Sequence, residues 1–329
     1  MTTPFSLQWG ILSTARINRA LLPPLRQSPR NTLMAVASRS LENAQNYARE
    51  NSIPRAYGSY EELLANPQIQ VIYNPLPNHL HAEWSIKALQ AGKNVLCEKP
   101  FALSLAEVDA MSAAARQAGR VLTEAFMYRH HPQTLKAREI IASGALGKVS
   151  LVRGAFTFPF SRAGNFRANP QMGGGSLWDV GCYPVSFTRF LLGEEPVEVF
   201  AWQVLNAEDV DESFAGQLRF PSGALAQFDS GFRAPYRTFM EIVGSEASLE
   251  IPVPFKPQFN EKMILRRGGQ ASEILIPGEA LYQGEVEDMA DAVLLGKPPR
   301  ISLAESRANL AVLLALAESA RTDKPVFIQ

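Results

Sequence analysis

Two cysteines in 329 residues, Cys97 and Cys182, are too few and too far apart for a disulfide framework, so a reducing cytoplasm is the expected setting. No run approaches the ~18 apolar residues of a membrane span. The opening MTTPFSLQWGILSTAR lacks the basic start and apolar stretch of a secretion leader, and no membrane partner is expected. An excess of either charge is missing too: 32 basic residues face 32 acidic ones, which leaves no reason to expect a nucleic-acid partner. The four histidines form two close pairs, His79 with His81 and His130 with His131, and the cysteines match no ligand spacing. Adjacent histidines do not easily face one ion, so no metal is expected. What remains is ordinary globular composition, 46% hydrophobic with 22 Gly and 23 Pro, in a length that suggests about two domains.

The pattern divides the chain into residues 1–125 and 126–329. In the first part, short apolar runs at 7–12, 33–37, 71–73, 94–97 and 121–123 alternate with helical segments. Ser40 opens one helix, Ser59 with Glu62 and Ser104 with Glu107 read as capping boxes, and Gly92 and Gly119 end two others. Ala82, Ile86 and Leu89 make one buried stripe. This is the pattern of a parallel, doubly wound α/β sheet, which binds ligands at the carboxyl ends of its strands.

From about Gly147 the period becomes that of strands, at 149–158, 197–205, 213–220, 224–230, 239–243 and 262–265, with turns at Pro221-Ser222-Gly223 and Gly268-Gly269. Helices at 279–295 and 303–322 follow. An α+β domain with a large, mainly antiparallel sheet is expected, with the ligand crevice between the domains. Alternating Leu218, Phe220, Leu225 and Phe228 suggest an apolar sheet face in need of cover, and hence a homo-oligomer.

Three constellations could carry chemistry. Ser13-Thr14-Ala15-Arg16-Ile17 turns the first strand into the first helix, where a dinucleotide fold cradles a pyrophosphate. The glycines of G-x-G-x-x-G are absent: Ser13, Ala15 and Asn18 stand in their places, and an ordinary strand-to-helix turn is the alternative. Ser38-Arg39-Ser40 ends the second strand without the acid that holds an NAD ribose; a guanidinium with flanking hydroxyls suits a 2′-phosphate. The loops Asn74 to His81 and Cys97-Glu98-Lys99-Pro100 lie at the same edge, with a cis Lys99-Pro100 bond expected to aim Lys99 at the ligand. Finally, Gly173-Gly174-Gly175 leads into a helix on which Asp179 and Tyr183, four apart, share a face.

Taken together, WGILSTARI, PNHLH, CEKP, EAFMYRHHP and GGGSLWDVGCYP, in this order, resemble the glucose-fructose oxidoreductase, inositol dehydrogenase and rhizopine-catabolism (Gfo/Idh/MocA) family. The resemblance spans the whole chain and is nearest the dihydrodiol dehydrogenase and NADP-dependent xylose dehydrogenase subgroup. It implies a Rossmann domain followed by an open-sheet domain, and an enzyme moving a hydride between NADP, with NAD less favoured, and a sugar-like or dihydrodiol substrate. It places the catalytic lysine on Lys99 and the family's Asp and His pair on Asp179 and Tyr183, tyrosine replacing histidine. The expected cofactor residues are Ser13, Thr14, Ala15, Arg16, Ile17, Ser38, Arg39, Asn74, Leu76, Asn78, His79, Glu98, Lys99 and Arg129. Phe156 and Arg167 are expected with Asp179 and Tyr183 on the substrate side. A non-catalytic NADP-sensing regulator and a redox-assisted glycosidase of the same fold are the alternatives.

Overall fold

Short apolar runs, each followed by a capped amphipathic stretch, wind the first third of the chain into alternating strands and helices. The computed structural model describes residues 6–160 and 164–328; the first five residues of the opening read for a leader lie outside that range. In chain order come β1 (Leu7–Leu12), α1 (Asn18–Gln27), β2 (Asn31–Ala37), α2 (Leu41–Glu50), β3 (Arg55–Tyr57), α3 (Tyr60–Ala65), β4 (Val71–Asn74), α4 (His81–Gln90), β5 (Asn94–Glu98), α5 (Leu105–Ala118) and β6 (Leu122–Ala125). The strands pair in parallel in the order β3-β2-β1-β4-β5-β6, so the order reverses between β1 and β4. Ser104 and Glu107 cap α5 reciprocally, as their spacing predicts. At α3 the box is incomplete: Ser59 accepts from the Glu62 N–H, but the Glu62 carboxylate turns to the Gly58 N–H. The buried stripe of α4 is wider than predicted, running through His81, Ala82, Trp84, Ser85, Ala88 and Leu89, with Ile86 at its margin. β3 escaped the sequence reading because three residues carry no usable period.

The chain continues through α6 (Pro132–Ala142), β7 (Val149–Thr157), α7 (Cys182–Leu192), β8 (Glu198–Leu205), β9 (Asp211–Arg219), β10 (Leu225–Gly231), β11 (Arg237–Gly244), β12 (Ser248–Ile251), β13 (Glu261–Arg267), β14 (Gln270–Ile276), α8 (Gln283–Leu295), α9 (Leu303–Thr322) and β15 (Val326–Phe327). The nine strands from β7 onward form one sheet in the order β14-β13-β12-β11-β7-β10-β9-β8-β15, antiparallel throughout except where β10 lies parallel to β7. Gly268 and Gly269, with φ of 55° and 79°, make the tight turn between β13 and β14.

Contacts divide the chain into two compact units. One runs to Met127 and takes back Tyr282–Arg307; the other holds Tyr128–Leu281 and the segment from Ala308 onward. The returning segment is anchored within its unit: the Arg30 side chain donates to Glu287 Oε2 at 2.8 Å and Asp291 Oδ1 at 2.5 Å, and the Thr123 hydroxyl donates to the Ile301 carbonyl.

The large sheet corrects one expectation. Leu218, Phe220 and Phe228 are buried, and Phe228 crosses Gly216 beside Leu316 of α9. The opposite face carries Leu225, Trp202 and Val204, all about half exposed, among cross-strand ion pairs such as Arg153–Glu241, Arg219–Glu198 and Arg237–Asp229. Period-two alternation assigns residues to two faces but does not say which face the helices take. No helix among the described residues is long and apolar enough to cross a membrane.

Candidate active site

The parallel strands deliver most of the candidate cofactor residues to one edge of the first unit. Ser13 follows β1, Ser38-Arg39-Ser40 follows β2, Asn74 ends β4 and leads into the loop to His79, and Lys99 follows β5. Ser13 has φ +69°, the left-handed conformation that glycine ordinarily supplies at this turn, and its N–H donates to the Ala37 carbonyl at 2.9 Å. Asn18, at the third glycine's place, is buried and donates from Nδ2 to the Ser13 carbonyl, bracing the same turn. The backbone N–H groups of Thr14, Ala15, Arg16 and Ile17 have no acceptor among the described residues. The turn therefore keeps the shape and the donors of an anion cradle after losing its glycines.

Ser40 spends its hydroxyl on the Asn43 N–H as the cap of α2, and its own N–H reaches the Ser38 hydroxyl. Arg39 is exposed and forms no ion pair or hydrogen bond among the described residues, which leaves a full guanidinium beside a helix start. This edge fits a dinucleotide whose ribose carries an extra phosphate. Asn74 is different: its side chain donates to the His81 carbonyl and the Ser85 hydroxyl and accepts from the Leu76 N–H, so it braces its loop from inside. Leu76 and Asn78 are buried and His79 is exposed.

Around Lys99 the structure shows partners that composition does not reveal. The Lys99-Pro100 bond is cis. The Tyr73 hydroxyl donates to Glu98 Oε1 at 2.5 Å, and the Lys99 N–H donates to Glu98 Oε2 at 3.3 Å. Burial, then the Glu98 charge, push the Tyr73 phenol well above its ordinary range. Beneath them Glu285 of α8 is sealed from solvent, and neither carboxyl oxygen has a hydrogen-bond partner among the described residues. Burial and then the nearby Glu98 charge raise its pKa well above the ordinary carboxylate range. His81 lies fully buried, with Nδ1 2.8 Å from the Pro100 carbonyl and Nε2 2.7 Å from the Leu76 carbonyl. It ties the loop after β4 to the loop carrying Lys99.

In the second unit, Arg167 donates from Nε to Asp179 Oδ2 at 2.6 Å and from Nη2 to Oδ1 at 3.3 Å, a two-pronged pair with Asp179 almost fully buried. The guanidinium lies 4.7 Å from the Phe166 ring centroid. Tyr183 is buried among Tyr128, Phe156 and Phe255, with ring centroids 5.4 to 5.6 Å away. Phe156 stacks on Phe255 at 5.3 Å. Arg129 also belongs here, donating to the Ser186 hydroxyl and lying 3.9 Å from the Phe190 ring centroid.

The glycine run explains how Arg167 and Asp179 meet. The Gly175 N–H donates to the Arg167 carbonyl, and Gly174 packs so closely that a Cβ there would lie 2.6 Å from that same oxygen. The segment carrying Asp179 begins as a π-helix, Leu177–Gly181, before α7 takes over. The Asp179 to Tyr183 interval therefore includes a wider turn than the α-helical spacing assumed from sequence. Sequence reasoning missed Tyr73, Glu285, Tyr128, Phe255 and Asp211, all core-like or unremarkable in local pattern. His81 was visible only as half of a histidine pair.

Comparison with known proteins agrees along the length of the chain. Residues 7–126 match the oxidoreductase family model with an NAD-binding Rossmann fold, and residues 134–250 match the Gfo/Idh/MocA C-terminal domain. The chain is 38% identical to D-xylose 1-dehydrogenase (NADP(+)) 2 of Haloferax volcanii, over 97% of this chain and 99% of that protein. It is 37% identical to trans-1,2-dihydrobenzene-1,2-diol dehydrogenase of Xenopus laevis, over 74% of this chain and 75% of that one. The crystal structure of a 3-ketoreductase from Actinomadura kijaniata, in complex with NADP and TDP-benzene, superposes with a TM-score of 0.91 at 29% identity, covering 95% of this chain and 98% of the other. With both family models and near full-length relatives in accord, the chain belongs to the Gfo/Idh/MocA family of oxidoreductases.

Proposed function

We propose that the protein catalyses reversible hydride transfer between NADP(H) and a carbinol or carbonyl carbon of a sugar-like or dihydrodiol substrate. The observation that carries this reading is the strand edge of the first unit, where Ser13 holds a left-handed turn before unpaired N–H donors and Arg39 offers an exposed guanidinium. When bound, NADP+ supplies the carbon that accepts the hydride. The proton is left to the chain's own residues. In oxidation the Tyr183 phenolate takes the proton of the substrate hydroxyl; in reduction the phenol returns it. An ordinary phenol ionises at about pH 10, so the Lys99 ammonium serves to favour the ionised form. Asp179, held by both prongs of Arg167, orients the substrate hydroxyl, and Phe156 backs the Tyr183 ring. The cofactor roles given to Thr14 through Ile17, Ser38, Leu76, Asn78, His79, Glu98 and Arg129 belong to the same proposal.

A screen of D-xylose, other aldoses and trans-dihydrodiols with NADP+ and NAD+, read at the nicotinamide absorbance, tests it. Substrate-dependent net formation of NADPH is expected. NADP binding without net reduction by any of these would favour the regulator or the redox-assisted glycosidase.

Self-association through the open face of the large sheet is also proposed, on Leu225 of the expected residues joined by Trp202 and Val204 and set among ion pairs, rather than on the buried Leu218, Phe220 and Phe228. Light scattering that found a stable monomer at micromolar concentration would remove it. A cytoplasmic setting accords with Cys97 and Cys182, which are buried and form no disulfide among the described residues.

A further inference from the structure

We propose that Asp211, outside the catalytic set, is the positioning residue for the segment that carries Asp179 and Tyr183. The inference rests on the roles just given to those two residues.

Asp211 opens β9 where the pairing with β8 shifts register between Val204 and Leu205. Its Oδ2 accepts from the Ser176 hydroxyl at 2.6 Å and from the Leu177 N–H at 2.9 Å. Its Oδ1 lies against Gly175, where φ is +123° and an added Cβ would come within 2.1 Å of that oxygen. Three successive residues are thus held to one buried carboxylate immediately before the π-helix. The Ser176 hydroxyl also lies 3.1 Å from that of Ser230 on β10.

The N-terminus of a helix has donors without intrahelical acceptors, and a serine there usually supplies one. Ser176 makes no such cap; its hydroxyl points to Asp211 instead, and Asp211 accepts the Leu177 N–H in its place. The cap is supplied by a strand more than thirty residues away, so the direction in which Asp179 leaves the sheet, two residues later, is set by Asp211.

Burial raises the Asp211 carboxyl to about 6, against the pull of its hydrogen bonds. The charged groups on the packed elements are occupied elsewhere: Asp179 with Arg167, Glu212 with Arg233, and Asp229 with Arg237; Glu208 and Asp209 lie in the preceding turn. Between neutral and mildly acid pH, Asp211 therefore loses its charge, and with it a strong acceptor for Ser176 and Leu177.

Trp178, next to Leu177, reports on this without any substrate. In the intact protein, the part of the intrinsic emission lost in Trp178→Phe should titrate with a midpoint near pH 6 in the wild type and not in Asp211→Asn. The same inflection in Asp211→Asn, or none in the wild type, overturns the proposal. With D-xylose or the best aldose of the screen, Asp211→Asn should lower kcat by about tenfold while the Kd for NADP stays within about twofold. A kcat within about twofold of wild type would overturn it. If Asp211→Asn does not fold, Ser176→Ala removes one donor to the charged form, and the emission midpoint should rise; an unmoved midpoint counts against the proposal. Tyr183→Phe separates the two readings. Loss of turnover there, with Asp211→Asn unaffected, sinks the positioning role alone, whereas full turnover in Tyr183→Phe withdraws the role of Tyr183 and this inference with it.

Discussion

Replacing His81 with glutamine tests the link between the two loops beside Lys99. Both ring nitrogens face carbonyl oxygens, but a neutral imidazole carries a single N–H, so one of the two contacts lacks a proton. Protonation would satisfy both carbonyls and draws the pKa up, while complete burial draws it down; burial prevails, and the group is lowered from 6.5 to about 4. A depressed histidine pKa means that the folded state resists the proton which the unfolded chain accepts. Its contribution is therefore present above pH 6.5 and is lost as the pH falls toward 4, by roughly 3 kcal/mol in all. Denaturant midpoints of wild type and His81→Gln at several pH values between 4 and 8 give the difference, in which other titrating groups cancel. Wild type should lead at neutral pH, and its lead should shrink steadily below about pH 6.5. A difference that is flat with pH would show that burial does not shift the imidazole, and one that grows toward acid would mean that the imidazolium bridges the carbonyls; either overturns the argument from burial.

Three further outcomes follow from the geometry. Arg39→Asp should erase or reverse a preference for NADP over NAD of about tenfold or more, measured by fluorescence titration of both cofactors, because one charge-assisted contact to a phosphate is worth that much. Tyr183→Phe and Lys99→Met should each cut kcat by about two to four orders of magnitude, and the double variant should fall little below the worse single one; additive losses would show that the two do not act together. Gly175→Ala should lower stability by about 2 kcal/mol or more in thermal unfolding, since both its φ of 123° and the Asp211 oxygen at 2.1 Å oppose a methyl group.

The first unit was largely legible because its signals are local: apolar runs, the Ser104 and Glu107 cap, and strand ends that gather Ser13, Arg39 and Lys99 on one edge by topology alone. β3, β12 and β15 were missed because they span only two to four residues, and β14 because Gln270–Ile276 is polar for most of its length. The second-unit residues were found by motif, but their environment was not. The grip of Arg167 on Asp179 and of Asp211 on Ser176 joins residues 12 and 35 positions apart, and no period records such a pairing. Alternation in β9 and β10 put Leu218 and Phe228 on one face but Leu225 on the other, and burial depended on where α9 came to rest. The glycine motif failed for a different reason: at Ser13 a non-glycine residue accepts the left-handed turn, so the conformation survives where the letter does not.

The central claim, hydride transfer with Tyr183 as the proton acceptor, is tested most directly by following a label. D-xylose, or the best aldose of the screen, deuterated at the carbon that is oxidised, should pass its deuterium to the cofactor, giving deuterated NADPH in step with product for the wild type and at least about a hundredfold more slowly for Tyr183→Phe. Undeuterated NADPH, or transfer by Tyr183→Phe at the wild-type rate, would contradict the account.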